Sequence, residues 1–276
     1  MLIIAEKING TRKSVNQAVL GRDAKFIQEL ALAQVAAGGD VLDINAGTAP
    51  DREPDDAIWL INTVQEVTDK PLCLDSPNPK ALAAGLTAVK RPPMINSISG
   101  EPDRLNNVLP LVAQNKLKVV ALAMDSGVIP ATCEARMKVV RMLFEITRKA
   151  GLPDDYVYVD PLALSVGTST TACLVTLETM RAILKEYPEA HLTGGLSNVS
   201  FGLPARSLIN RAFLTLAIEA GLDSAIIDPM DKNIMETIYA ANAVLGKDKF
   251  CNQYGKAYRA GKIGVKPEKK AVIAGA

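Results

Sequence analysis

The stretch PLCLDSPNPKALAAGLTAVKRPPMIN, Pro71 to Asn96, opens on an apolar run that stops at Asp75 and closes on another that stops at Asn96. Between them Asn78–Val89 has helical spacing, so the whole reads as strand, helix, strand. The pattern recurs along the chain. LIIAE stops at Glu6, VLDIN carries Asp43 and Asn45, VVALAMD stops at Asp125, VYVD at Asp160, LTGGLSN at Asn198 and SAIID at Asp228. Counted from Glu6, the gaps are 37, 32, 21, 29, 35, 38 and 30 residues, each about one strand–helix unit. Eight such units predict an α/β chain folded as a single (β/α)8 TIM barrel. The C-terminal rim of its strands becomes a polar, acceptor-rich cup.

The intervening segments carry the helices. Asp23 is placed to cap a helix with Phe26, Leu30 and Ala33 on one face, ending at Gly38-Gly39. Further helices are predicted over Asp55–Val67, Arg104–Asn115, Cys133–Lys149, Ala172–Glu186, Arg206–Ala220 and Lys232–Leu245. A doubly wound open sheet would usually place a GxGxxG turn after the first strand, where this chain reads NGTRKS. No Pro/Ser-rich linker interrupts the chain, so residues 1–250 are read as one barrel. Residues 251–276 form a basic tail, its first half packed under the barrel and its end frayed.

Composition narrows the function classes. Net charge is +1 and aromatics are 4%, so neither a basic field nor a stacking platform suggests nucleic acid. No apolar run reaches the ~18 residues of a membrane span, and MLIIAEKING lacks the basic start of a signal peptide. A cytoplasmic protein with no membrane partner is expected. The four cysteines (Cys73, Cys133, Cys173, Cys251) stand singly and His191 is the only histidine, which argues against a protein-bound metal.

The chemistry is expected at the rim. Asp75, Asn96 and Asp160 abut their strands directly and would crowd into one cup, where close carboxylates resist ionisation unless something neutralises them. A flat ligand rich in N–H groups, such as a 2-amino-4-oxo pterin, pairs with a carboxylate through two parallel hydrogen bonds and with an amide such as Asn96 through the rest.

At these residues a specific resemblance appears. Gly195–Pro229 (GLSNVSFGLPARSLINRAFLTLAIEAGLDSAIIDP), LCLDS (72–76), MINSIS (94–99), YVDPL (158–162) and the opening IIAEKING resemble the pterin-binding methyltransferases. These include methyltetrahydrofolate:corrinoid protein methyltransferases and the folate domain of cobalamin-dependent methionine synthase. The resemblance runs to about Gln253. It implies that Asp75, Asn96 and Asp160 hold the pterin ring of tetrahydrofolate or 5-methyltetrahydrofolate, and that Asn198 sits beside N5 as the catalytic residue. It places Asp43 in the rim's polar network and Arg206 at the edge, closing the network or touching substrate. Glu6 and Asn9 are expected to order rim loops, with Lys7 neutralising Glu6. His191, at the start of its strand, is expected at the opposite end of the barrel.

The resemblance further implies a homodimer that moves a methyl group between N5 and the cobalt of a cobalamin. That corrinoid would be supplied by a separate corrinoid protein, since the chain lacks the DxHxxG element of cobalamin-binding domains. The rim loops Gly47–Pro54 and Ser165–Thr171 are the expected docking surface. Asn198 offers a rotatable amide that accepts from a protonated N5 or donates to a neutral one, a form of electrostatic preorganisation. Two alternatives remain: a dihydropteroate synthase-like condensation, although the TPDSFSDGG-like loop of those enzymes is missing, and a non-catalytic folate-binding subunit, which would have no use for Asn198.

Overall fold

The computed structural model describes residues 1–265. Lys266, Lys269 and Lys270 of the basic tail lie outside the described residues. Eight strands, β1 Leu2–Asn9, β2 Val41–Asn45, β3 Leu72–Asp75, β4 Met94–Ile98, β5 Lys118–Leu122, β6 Val157–Asp160, β7 His191–Leu192 and β8 Ser224–Ile227, form one parallel sheet. Its order is β7-β6-β5-β4-β3-β2-β1-β8. The seam between β7 and β8 is closed by a bridge of Gly195 with Ile226 and by Ile226 N donating to Gly194 O at 3.0 Å. The expected (β/α)8 TIM barrel is thus the fold.

The helices are α1 Lys13–Gly21, α2 Ala24–Ala36, α3 Glu53–Gln65, α4 Pro79–Ala88, α5 Pro102–Asn107, α6 Leu109–Asn115, α7 Cys133–Lys149, α8 Ala172–Glu186, α9 Arg206–Glu219, α10 Lys232–Val244 and α11 Asn252–Arg259. Asp23 caps α2 by accepting from Phe26 N at 3.1 Å. The expected helix over Arg104–Asn115 is two pieces meeting at Val108, because Pro110 has no N–H to continue the first. Helix α1 was not foreseen, although Val15, Ala18 and Val19 bury one short face. Helix α11 follows Asp248, which accepts from Gln253 N and Tyr254 N, and it packs against α10.

Because strand side chains alternate, the barrel interior is built in layers. Ile4, Val41, Cys73, Met94, Val120 and Tyr158 form a separate apolar plug inside the strands. Two positions further along the same strands, on the same face, stand Glu6, Asp43, Asp75, Asn96, Leu122 and Asp160. The polar cup is therefore the next layer above a dry floor, and period two puts it there.

Candidate active site

Neighbouring strands bring the cup residues side by side. Asp75 is in register with Asn96, Asp43 with Cys73, and Leu122 with Asp160. Asp43 is only 2% exposed and its Oδ1 has no hydrogen-bond partner. Burial pushes its carboxyl well above the ordinary range, and the nearby Asp75 adds to the shift. Cys73 lies against these carboxyls, and its thiol is pushed up by burial and by their charge.

Burial also raises Asp75, while two groups pull it back: the Asn45 amide, whose Nδ2 donates to Asp75 Oδ2 at 2.9 Å, and the Arg104 guanidinium. Asn45 fixes one carboxylate oxygen and leaves the other for a ligand. Arg104 is itself held by donating to Ser76 O at 3.2 Å.

Asp160 is raised to about 6, burial dominating over hydrogen bonds from the Leu162 and Gly195 N–H groups and the charge of Arg136. The Leu162 bond is 2.7 Å. Gly194 is required here for space, because a Cβ would stand 2.9 Å from Asp160 Oδ1. Arg136, 1% exposed, donates to the Pro161 and Leu162 carbonyls at 2.7 and 3.0 Å, so it braces the loop that carries Asp160. Asn45 was read from the sequence only as a polar residue of its strand, and Arg104 and Arg136 carry no site signal there, since nothing in their spacing relates these three to residues 25 or more positions away.

Two expected rim residues sit differently from the sequence reading. Asp125 is not at a strand end, because β5 stops at Leu122 and Asp125 bridges to Val128 in an exposed turn. Asn198 lies beyond the two-residue β7, as the exposed residue of a largely buried 3-10 turn, Leu196–Ser200, since Gly194-Gly195 breaks the strand. That turn is pinned: Arg206 donates to Ser197 O at 2.6 Å and to Ser200 Oγ at 3.0 Å, and Val166 N donates to Val199 O at 3.0 Å. Arg206 thus holds the turn of Asn198, and the Asn198 side chain makes no hydrogen bond among the described residues.

On the adjoining lip, where β8 and β1 follow β7 around the barrel, Lys7 pairs with Asp228 at 2.6 Å, not with Glu6 as expected. Burial raises Glu6, opposed by Arg12 at 3.5 Å, by Lys7 and by Arg206. Asn9 Oδ1 accepts from Thr11 N and Oγ1 and orders the turn after β1. His191 stacks on Tyr158 and pairs with Asp223 at the floor end, remote from the cup.

The cup therefore combines one carboxyl, Asp43, that burial pushes well above the ordinary range, a second, Asp160, raised to about 6, and the amides of Asn45 and Asn96 beside them. It can donate and accept at once, which suits a flat heterocycle with both kinds of group. Among the described residues no three His, Cys, Asp or Glu side chains converge as a metal site.

Comparison with known proteins gives the same picture. Residues 5–228 match the family described as pterin binding enzyme. A methylcorrinoid:tetrahydrofolate methyltransferase of Eubacterium limosum is 40% identical over 266 residues, covering 96% of this chain and 98% of that protein. The methionine synthase of Mycobacterium tuberculosis is 30% identical over 240 residues, 82% of this chain but 20% of its own length. Among solved structures, a dihydropteroate synthase of Coxiella burnetii in complex with pteroic acid superposes with a TM-score of 0.66 at 18% identity, covering 90% of this chain and 93% of that one. At that identity the likeness is one of fold.

Proposed function

As the chain belongs to the pterin-binding enzyme family, we infer that it is a methyltransferase working between tetrahydrofolate and a methylated corrinoid carried by a separate protein. The observation that carries the reading is the polar layer of Asp43, Asp75, Asn96 and Asp160 at the strand ends, in a chain 40% identical over nearly its whole length to an enzyme named for that reaction. Asp75, Asn96 and Asp160 hold the pterin, Asp43 completes the polar floor, and Arg206 acts by clamping the turn of Asn198.

The name of the Eubacterium limosum relative runs from methylcorrinoid to tetrahydrofolate, and the same direction is taken here. The N5 lone pair forms the new C–N bond, the electron pair of the broken Co–C bond stays with cobalt, and N5 loses one proton. Asn198 accepts the N5–H through its amide oxygen and stabilises the positive charge that grows there. The rim carboxylates are the outlet for the proton. The test is direct: pure protein mixed with methylcobalamin and tetrahydrofolate should consume the methylcobalamin spectrum and yield methyltetrahydrofolate. No reaction, with the carrier or without it, would overturn the reading.

The carboxylate of Asp160 is the form that accepts from the pterin. It predominates above pH 6 and is lost as pH falls through 6. Tetrahydrofolate affinity should therefore weaken about tenfold between pH 7.5 and pH 5, one pH unit below the pKa. Calorimetry checks this, with Asp160→Asn expected to flatten the profile.

The reading extends to a cytoplasmic homodimer. Four unpaired cysteines are in keeping with a reducing compartment, and no described helix is long and apolar enough to cross a membrane. A groove of about 680 Å³ between α9 and α10 is lined by Leu208, Leu216, Val244 and Tyr254, with Val244 85% exposed. This is the face proposed for the dimer. Leu216→Glu should convert it to a monomer in light scattering; a monomeric wild type would remove the proposal.

A further inference from the structure

The turn that presents Asn198 also presents Phe201. This phenyl is 71% exposed, whereas Leu196, Val199 and Ser200 on the same turn are buried. Its backbone is fixed from both ends: Phe201 N donates to Asn198 O at 3.1 Å, and Ser165 Oγ donates to Phe201 O at 2.7 Å. The next link, Leu203 N to Ser200 O, is 3.1 Å. With the two Arg206 bonds these fasten the turn on every side, so the aromatic is held in water on a rigid mount.

A single exposed apolar side chain is ordinary on a protein surface. What sets Phe201 apart is its place. The Asn198–Phe201 hydrogen bond spans one 3-10 turn, which advances roughly 6 Å along the chain. A methyl group reaches N5 beside Asn198 only if the corrin approaches face-on with its cobalt above that atom. The macrocycle is broader than one 3-10 turn, so its edge passes over the residue three positions on. Met230, on the loop after β8, and Val128, on the loop after β5, add two more exposed apolar side chains to the same half of the rim.

We propose that Phe201 is a specificity-determining contact for the corrin macrocycle itself, receiving the apolar face of the ring as it settles over Asn198. The proposal rests on the methyl-transfer reading above and names which residue of the rim recognises the corrinoid. It predicts a contact with the ring that is independent of any carrier protein, so free methylcobalamin is the probe.

The experiment compares wild type, Phe201→Ser and Phe201→Trp with free methylcobalamin and tetrahydrofolate, following the methylcobalamin spectrum, with tetrahydrofolate affinity measured separately by calorimetry. Phe201→Ser should lower kcat/KM for methylcobalamin about tenfold, chiefly through KM, as expected when part of a phenyl's burial is lost. Tetrahydrofolate affinity should stay within about twofold of wild type, the scatter expected at an untouched site, and Phe201→Trp should keep the wild-type KM. An unchanged methylcobalamin KM in Phe201→Ser, or a parallel loss of tetrahydrofolate affinity, would overturn the assignment. A wild type that transfers no methyl group at all would instead overturn the functional reading beneath it.

Discussion

Replacing Asn198 by alanine is expected to slow methyl transfer by about 30- to 1000-fold at saturating folate, the 2–4 kcal/mol that follows from losing one preorganised hydrogen-bonding group at a developing charge. The size of the effect follows from how the amide is held. Its turn is clamped by Arg206, Ser165 and Val166, so it reaches the transition state without reorganisation, and its side chain has no competing partner among the described residues. In the proposed site the pterin is gripped elsewhere, by Asp75, Asn96 and Asp160, so folate affinity should change far less than the rate. Single-turnover kinetics with methylcobalamin, alongside calorimetry, separates the two quantities. A wild-type rate in Asn198→Ala would remove Asn198 from the chemistry and leave the non-catalytic folate-binding reading standing.

Asp75→Ala is expected to show the opposite split. A charge-assisted hydrogen bond contributes about 1.5–3 kcal/mol, so the dissociation constant for tetrahydrofolate should rise about 10- to 150-fold, while the apo protein stays folded. The apo fold tolerates the change because burial raises the Asp75 carboxyl on folding. Such a group binds more protons folded than unfolded, which costs stability at pH values above its ordinary pKa, so deleting it removes a cost at pH 7. The deletion also lowers the charge that Asp43 faces. Asp160→Ala should lose folate affinity similarly but melt lower, because the Leu162 and Gly195 N–H groups lose their acceptor. Unchanged folate affinity in both variants would end the pterin-anchor assignment.

The wider comparison shows why the fold alone says little about the reaction. The Coxiella burnetii dihydropteroate synthase shares the barrel at 18% identity, and a barrel is a scaffold on which loops set the chemistry. In this chain the loops at the strand ends include the turn after β7, clamped by Arg206, and the loop after β6, braced by Arg136.

The barrel was legible in the sequence because it rests on local periodicity. Apolar runs ending in a polar residue, separated by segments of period 3.6, read as repeated strand–helix units, and they mark Asp75, Asn96 and Asp160 for one polar rim; that Glu6 and Asp43 stand in the same layer above an apolar floor is seen only in the structure. Where proline or glycine interrupts the pattern, at Pro110 and at Gly194-Gly195, the expected helix and strand are shorter than read. Contacts between distant residues were not legible. That Asn45 orients Asp75, that Lys7 turns to Asp228 and that Arg206 grips the turn of Asn198 depend on side chains brought together by closure of the barrel. Local propensity acts along the chain and can be read there; hydrogen-bond partners and burial, which set the charge state of each carboxyl, act across space and exist only after the strands have met.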